Sequence, residues 1–232
     1  MLGYCQTMDT VENKNSFYKI VFENAHFVVV DKAAMILSVP ARGGEEDARP
    51  ILGRILEKDL GLTLFPVHRL DFEVQGLIMY AKTPSAHRAG NVWFEQKTVS
   101  KKYSALASVL DSSHTPSLEK GQILEWKCQL LRGKKRAYES PHGKESLTFA
   151  RLVSVSDSGY FHWELSPVTG RSHQLRYELF RHGMPILGDS LYGSPVKFEQ
   201  EGIALRSFEI DFSKTKNHKE FSLPEKITTK TL

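Results

Sequence analysis

Asp71 lies in the first of three segments whose residue types could do chemistry. The segment His68-Arg69-Leu70-Asp71 stands between two apolar runs, where an extended stretch turns into a loop. A neighbouring arginine favours the ionised form of a carboxylate and lowers its pKa, and an ionised, partly buried aspartate can act as a nucleophile or a base. Because aspartate is also common in turns, a turn-capping carboxylate that merely pairs with Arg69 is the structural alternative.

Tyr103 stands in the second segment, residues 100–106, whose loose alternation predicts a strand. Successive side chains of a strand point to opposite faces, so Tyr103 and Lys102 are expected on opposite sides. The tyrosine ring could cover a nucleic-acid base by stacking, as aromatic side chains do in RNA sites. The alternative is a half-buried tyrosine packed in the core.

The third segment places cations at the predicted start of a helix. We expect Ser172 to cap this helix and Arg181 to end it. The residues around the cap are mostly cationic: Arg171, His173 and Arg176. Cations there oppose the helix dipole, whereas the free backbone N–H groups suit an anion. A bound phosphate or carboxylate and a solvated basic helix end are both compatible with this pattern.

Several common motifs are missing from the sequence. It contains no P-loop, no GxGxxG after a strand, no HExxH pair and no GxSxG elbow. Its nine histidines do not pair with cysteines or carboxylates at the spacing of metal ligands. These absences disfavour metal enzymes, nucleotide hydrolases and α/β-hydrolases.

The composition is that of a globular protein with its own core. The 232 residues are 41% hydrophobic and 25% charged, which excludes disorder and a disulfide scaffold. The formal net charge of +4 permits a polyanionic partner without requiring one. The two cysteines form no CxxC, there is no leader-like start, and no run reaches about 20 apolar residues. The prediction is a cytoplasmic protein that does not enter the membrane.

Positive charge is concentrated in two stretches. Residues 82–103 reach a local charge of +4 with interleaved aromatic residues, and residues 132–136 add another +4. This is the footprint of a nucleic-acid-binding surface, although solvated surface charge gives the same pattern. The cations that we single out as candidate nucleic-acid contacts are Lys101, Lys102, Arg132, Lys134, Lys135 and Arg136.

The elements that position these segments belong to an α+β protein. Strands are predicted over residues 18–23, 26–32, 76–81, 99–108, 147–155, 160–166 and 203–212, and helices over 51–60, 84–97 and 173–181. Hairpin-length connections outnumber βαβ crossovers, which predicts a mixed, mainly antiparallel sheet with flanking helices. Residues 1–16 are predicted to be a flexible tail. Residues 109–146 are predicted to be a long, exposed, basic excursion, for which a hairpin is one form.

Five short motifs, taken in order and spacing, resemble the RluA-like family of RNA pseudouridine synthases. They are Val-Val-Val-Asp-Lys32, His68-Arg-Leu-Asp71 with Gly76-Leu, Lys102-Tyr103-Ser-Ala, Gly170-Arg-Ser-His-Gln-Leu-Arg176 and Gly188-Asp-Ser-Leu-Tyr-Gly193. The resemblance covers about residues 18–212. It implies a sheet in two halves around a central cleft, isomerisation of uridine in structured tRNA or rRNA, and no metal or organic cofactor.

The resemblance also assigns roles to individual residues. Asp71 matches the catalytic aspartate, Arg176 the arginine that pairs with it, Tyr103 the tyrosine against the base, and Arg69 the arginine that helps to displace the base from its stack. The target uridine must leave the stack because the detached ring has to turn before it is rejoined through C5. Attack of Asp71 on C1′ and a route through a glycal both remain open.

His68 and Arg171 complete the expected RNA-contacting set, although we expect His68 to shape its loop rather than to transfer protons. The sequence departs from the family pattern after Asp71. The family often has a polar or charged residue followed by Thr-Ser-Gly, whereas here Phe72 and Gln75 occupy this stretch. Both residues are expected to alter the substrate loop or the depth of the cleft.

We expect a single catalytic domain over residues 17–232, acting as a monomer, without a separate N-terminal RNA-binding domain. The basic surface of the catalytic domain must then hold the RNA. One alternative is a non-catalytic RNA-binding protein or RNA chaperone that retains the fold. A weaker alternative is a small-molecule hydrolase that uses Asp71 with His68 or His173.

Overall fold

The computed structural model describes residues 16–40, 47–110 and 118–232, so that residues 1–15 of the predicted tail lie outside it. The strands are β1 (Tyr18–Glu23), β2 (Phe27–Lys32), β3 (Phe65–Pro66), β4 (Gln75–Ala81), β5 (Ser100–Ala107), β6 (Ile123–Arg132), β7 (Ala137–Glu139), β8 (Lys144–Val155), β9 (Phe161–Pro167), β10 (Leu205–Asp211) and β11 (Lys226–Thr228). The helices are α1 (Leu52–Leu60), α2 (Pro84–Glu95) and α3 (Gln174–Arg181).

All eleven strands belong to one sheet. Its order is β1-β2-β4-β10-β5-β9-β8-β6-β7, with β3 on β4 and β11 on β10. The β4–β10 pair is parallel, and the other strand pairs of the described residues are antiparallel. The predicted α+β class and mainly antiparallel sheet are therefore confirmed. Strand β10 lies between β4 and β5 and joins the two halves of the sheet.

Helices cover both faces of the first half of the sheet. Val28 and Val30 of β2 pack into the core cluster that includes residues of α1 and α3, whereas Phe27 and Val29 pack into the cluster that includes residues of α2. Successive side chains of a strand alternate between faces, so a strand covered on both sides must be apolar throughout. This explains the continuous aliphatic run of β2. None of the helices in the described ranges is long and apolar enough to cross a bilayer.

Within residues 109–146 the expected exposure is wrong for most of the described part, whereas the suggested hairpin is confirmed by the antiparallel pairing of β6 with β7. Strand β6 pairs with β8 along eight residues and lies inside the sheet. Its alternate side chains Trp126, Cys128 and Leu130 are buried, while the intervening residues face solvent. The Lys-, Ser- and Gly-rich composition of the stretch obscures this two-residue period in the sequence. Residues 111–117 lie outside the described residues.

The start of α2 follows local capping chemistry, whereas the start of α3 does not. The Thr83 hydroxyl accepts a hydrogen bond from the Ala86 N–H at the start of α2, as predicted. Helix α3 begins at Gln174, and its N-cap position is His173 in a left-handed conformation with φ of 55°. The prediction that Ser172 caps this helix is therefore wrong. The left-handed residue turns the preceding loop sharply into the helix.

Gly76 permits the close approach of β4 to β10, and we predict that Gly76→Ala destabilises the protein. Its φ is +113°, and a Cβ at this position would lie 2.1 Å from the carbonyl oxygen of Ser207. Backbone strain and overpacking together should lower the free energy of unfolding by at least about 2 kcal/mol. Urea unfolding of the purified variant measures the loss.

Gly159→Ala is the matched control, because Gly159 also has a positive φ, +77°, but a Cβ there would meet no atom within 4 Å. We expect a smaller loss for this variant, since only the backbone strain remains. Equal free energies of unfolding for the two variants would contradict the steric argument at Gly76.

Candidate active site

A cavity of about 540 Å³ opens at the centre of the sheet, where β10 meets β5. The loop before β4, strands β5 and β10, the loop after β9 and the first turn of α3 line it. Asp71, Tyr103 and Arg176 all lie on its wall. The fold thus brings together the three predicted catalytic residues from three separate segments of the chain.

Arg176 is the most deeply buried of these residues, with only 2% of its side chain exposed. Its strongest partner is Asp189, whose two carboxylate oxygens accept hydrogen bonds from Nε at 2.7 Å and from Nη2 at 2.8 Å. Nη1 donates to Oε2 of Glu73 at 3.0 Å and lies 3.8 Å from Oδ2 of Asp71. Asp71 is therefore the most distant of three carboxylates around one guanidinium group.

Burial raises the pKa of Asp71 above its ordinary value, and the nearby charge of Asp189 adds to this effect. The positive charges of Arg176, Arg69 and Arg132 act in the opposite direction. The expectation that a neighbouring arginine lowers this pKa is wrong in its net direction. The sequence shows the arginine but not the loss of hydration that outweighs it.

Tyr103 and Leu205 form a flat, largely apolar wall of the cavity. Both are almost fully buried, and both line the space into which Asp71 faces. Burial raises the pKa of Tyr103, so the phenol keeps its proton at neutral pH. Sequence reasoning missed Leu205, because one leucine in an apolar strand carries no signal until β10 is placed beside β5.

Gln174 holds the loop between β9 and α3 in place. Its Oε1 accepts hydrogen bonds from the Thr169 hydroxyl at 2.8 Å and from the Arg171 N–H at 2.9 Å. Its Nε2 donates to the Leu147 carbonyl oxygen at 3.0 Å and to the Thr148 hydroxyl at 2.9 Å. All of its amide groups are therefore used to fix the loop that carries Arg171 along the cavity.

His68 and Lys101 line another part of the cavity, and both lie against the Phe94 ring. The Met79 N–H donates to Nε2 of His68 at 3.0 Å, and burial lowers the pKa of His68 well below its ordinary value. His68 is thus a neutral residue that ties its loop to β4. Burial also lowers the pKa of Lys101 to about 8, and its Nζ lies 5.4 Å from the centre of the Phe94 ring.

A second cavity of about 590 Å³ adjoins the first on the other side of Asp71. Three of the predicted RNA-contacting cations line it: Arg132, Lys134 and Lys135. Arg69 is exposed and belongs to the walls of both cavities. The second basic stretch of the sequence therefore reaches the same cleft as the catalytic candidates.

Two predicted RNA-contacting cations lie away from both cavities. Lys102 points to the opposite face of β5 from Tyr103, where its Nζ lies 3.5 Å from Oε1 of Glu164 and 3.9 Å from Oε1 of Glu209. The guanidinium group of Arg136 lies 6.0 Å from the centre of the Phe180 ring. Adjacent side chains of a strand point to opposite faces, so Lys101 lines the cavity while Lys102 points away from it.

The two departures from the family pattern have different surroundings. Phe72 lines the second cavity. Gln75 lines neither cavity, and its Oε1 accepts a hydrogen bond from Nη1 of Arg206 at 2.8 Å. Arg206 also pairs with Asp31, so Gln75 belongs to a polar network within the sheet. We therefore expect Phe72, and not Gln75, to alter the depth of the cleft.

This arrangement suits chemistry on a planar ring attached to a sugar. Tyr103 and Leu205 can enclose such a ring, and Asp71 supplies a carboxylate to the same cavity with Arg176 nearby. Among the residues that the structure describes, no group of three or more His, Cys, Asp or Glu side chains comes together as a metal site would require.

Comparison with known proteins agrees with this geometry. The model of the RNA pseudouridylate synthase family matches residues 26–181. The chain is 33% identical over 176 residues to the dual-specificity RNA pseudouridine synthase RluA of Yersinia pestis, a match that covers 76% of this chain and 82% of the relative. The protein of the same name from Vibrio vulnificus is 31% identical over 205 residues, covering 86% and 79% of the two chains.

Solved structures support the same fold. The human RNA pseudouridylate synthase domain containing 1 superposes with a TM-score of 0.70 at 21% identity, covering 92% of this chain and 83% of that one. The human domain containing 4 gives a TM-score of 0.64 at 19% identity, covering 92% and 88%. With the family match over most of the sheet and the sequence identity to the bacterial relatives, the chain belongs to the RNA pseudouridylate synthase family as an RluA-like RNA uridine isomerase.

Proposed function

We propose that this protein is a cytoplasmic, monomeric enzyme that converts uridine to pseudouridine in structured tRNA or rRNA, with Asp71 as its catalytic carboxylate. The observation that carries the proposal is the meeting of Asp71, Tyr103 and Arg176 in one cavity. In the reaction the N1–C1′ bond breaks, the uracil ring turns, and a C5–C1′ bond forms. The ring loses its proton from C5 and gains one at N1.

Each wall of the cavity has a part in this scheme. The uridine is flipped out of its stack at a cost of a few kcal/mol, and the exposed Arg69 at the junction of the two cavities fills the space that it leaves. Tyr103 and Leu205 hold the detached ring, and the raised pKa of Tyr103 keeps the phenol neutral against it. Asp71 acts at the ribose, for which it must be ionised.

The basic lining supports RNA as the substrate. Arg132, Lys134 and Lys135 of the second cavity and Arg171 and Lys101 of the first surround the same opening. Cations in such an array bind phosphates and release counterions from the RNA, which helps to offset the cost of unstacking. The bacterial relatives are named dual-specificity enzymes, so the tests include more than one class of RNA.

Asp71→Asn should abolish pseudouridine formation and leave RNA binding nearly unchanged. The substitution keeps the shape of the side chain but removes the carboxylate, and loss of an essential catalytic group lowers the rate by about 10³-fold or more. Tritium release from RNA labelled at C5 of uridine measures the rate, and filter binding measures the affinity. Total tRNA and ribosomal RNA serve as substrates, and sequencing after carbodiimide labelling maps the modified uridine.

Asp157→Asn is the matched control, because Asp157 is an exposed turn aspartate outside both cavities. We expect it to have the parental rate. An Asp71→Asn variant with a normal rate would contradict the assigned role of Asp71. A parental protein that binds RNA but yields no pseudouridine would instead favour the non-catalytic RNA-binding alternative.

Arg176→Lys should slow the reaction by about 100-fold while changing RNA affinity much less. A lysine keeps the positive charge but cannot donate two parallel hydrogen bonds to Asp189, so the geometry around Asp71 is lost. Arg181→Lys is the control, since Arg181 lies on the same helix and pairs with Glu178 outside the cavities. Equal losses of rate and affinity in Arg176→Lys would make Arg176 an RNA anchor instead.

Arg132→Gln should move the acid limb of the pH–rate profile to higher pH. Asp71 must be ionised, so the rate falls as the pH drops through its raised pKa, and the positive charge of Arg132 opposes that rise. Removing this charge raises the pKa further. Single-turnover rates at saturating RNA between pH 5 and 8 measure the shift, with Lys127→Gln as a control of equal charge on the exposed face of the same strand. An acid limb that is unchanged in Arg132→Gln would mean that a group other than Asp71 sets it.

A further inference from the structure

The second cavity contains an aromatic platform next to Asp71. Phe72 follows the proposed catalytic aspartate directly, and its side chain lies on the cavity wall. The carbonyl oxygen of Phe72 accepts hydrogen bonds from the Met35 N–H at 2.9 Å and from Nζ of the buried Lys32 at 3.4 Å. These contacts fix the backbone of Phe72 and therefore the direction in which its ring leaves the loop.

Arg49 completes the platform. Its guanidinium carbon lies 4.8 Å from the centre of the Phe72 ring, a distance typical of a cation–π contact. The guanidinium group is held in turn by Asp47, which accepts hydrogen bonds from Nη2 at 2.6 Å and from Nε at 2.9 Å. The ring and the guanidinium group are thus held against each other by contacts within the chain. We call Phe72 and Arg49 together the Phe72 platform.

The surroundings of the Phe72 platform are cationic. Besides Arg49, four exposed or half-buried cations line the cavity, and they are Arg69, Arg132, Lys134 and Lys135. The acidic residues of the lining are Asp71 and Glu73, and both face Arg176. An aromatic ring within reach of several accessible cations is the combination that binds single-stranded nucleic acid, with the base on the ring and the phosphates on the cations.

The two cavities are neighbours along the path that an RNA strand would take. They share Arg69, Leu70, Asp71, Ser172 and His173, so a strand with its uridine in the first cavity passes directly into the second. The volume of about 590 Å³ is ample for one nucleotide. A base cannot stay paired while it stacks on a side chain inside a cleft, so its nucleotide must be unpaired.

We propose that the Phe72 platform binds the base of an unpaired nucleotide next to the target uridine and so helps to select the RNA. The inference rests on the proposed function, because it needs a uridine in the first cavity. It gives a role to one of the residues at which this sequence departs from the family pattern. Phe72 is a specificity-determining residue in this scheme and takes no part in bond breaking.

The test compares Phe72→Leu and Phe72→Trp with the parental protein on RNA stem-loops that contain the mapped uridine. One stem-loop is intact, and the others each carry a single abasic residue at one of the neighbouring unpaired positions. Leucine keeps much of the apolar volume but removes the aromatic face, whereas tryptophan keeps that face. Phe149→Leu is the control, because Phe149 is an exposed aromatic residue on β8 outside both cavities.

We expect Phe72→Leu to lower kcat/KM on the intact RNA about tenfold, the size of one lost base–aromatic contact, with Phe72→Trp and Phe149→Leu near the parental value. On one of the abasic RNAs, kcat/KM of the parental protein should fall by the same factor relative to the intact RNA. For Phe72→Leu, kcat/KM on that abasic RNA should be no lower than on the intact RNA. Matched circular dichroism and melting temperatures verify that the variants are folded.

Two results would overturn the inference while leaving the proposed function intact. One is an unchanged kcat/KM for Phe72→Leu on the intact RNA. The other is a kcat/KM for Phe72→Leu that lies below the parental value by the same factor on every abasic RNA as on the intact RNA. This would mean that Phe72 only packs against its own loop. A parental protein that modifies no RNA would overturn the proposed function and this inference together, so the two failures are distinguishable.

Discussion

The buried guanidinium group of Arg176 is the interaction on which the rest of the site depends. A cation with 2% of its side chain exposed is tolerated only where carboxylates and hydrogen bonds compensate for its lost hydration. Asp189 supplies two of these bonds, while Glu73, 103 positions away in the sequence, supplies a third. Helix α3, the segment before the C-terminal strands and the loop before β4 must therefore keep one relative arrangement, which also places Asp71.

The same charge balance leaves Asp71 free to face the cavity. Because Asp189 occupies Nε and Nη2 of the arginine, Asp71 lies 3.8 Å from the remaining nitrogen and is not locked in a two-point ion pair. Burial raises its pKa, and the surrounding arginines oppose the rise. In the proposed reaction, a carboxylate held in this way can be ionised and still have oxygens available to the ribose, unlike one held in a close two-point ion pair.

Local patterns in the sequence predicted most of the elements, but they misjudged residues 109–146 and missed the short strands β3 and β11. The hairpin of β1 and β2, the N-cap of α2 and the strands β4, β5, β8, β9 and β10 follow from hydrophobic period, glycine and proline positions and capping residues. Strand β6 was missed because the Lys-, Ser- and Gly-rich composition of the surrounding stretch obscured the alternation of buried Trp126, Cys128 and Leu130 with exposed residues. The left-handed His173 was also beyond local rules, since the hydrogen bonds of Gln174 to another strand hold that loop.

The sequence by itself determined the class of fold, the family motifs and the candidates Asp71, Tyr103 and Arg176, because these depend on residue types and on spacing along the chain. Only the tertiary structure decided their environment. Burial, which sets the direction of the pKa of Asp71, depends on neighbours from distant segments. So do the pairing of Arg176 with Asp189, the entry of Leu205 into the cavity and the separation of Lys101 from Lys102 by the faces of β5. These contacts join residues far apart in sequence, and local patterns do not encode them.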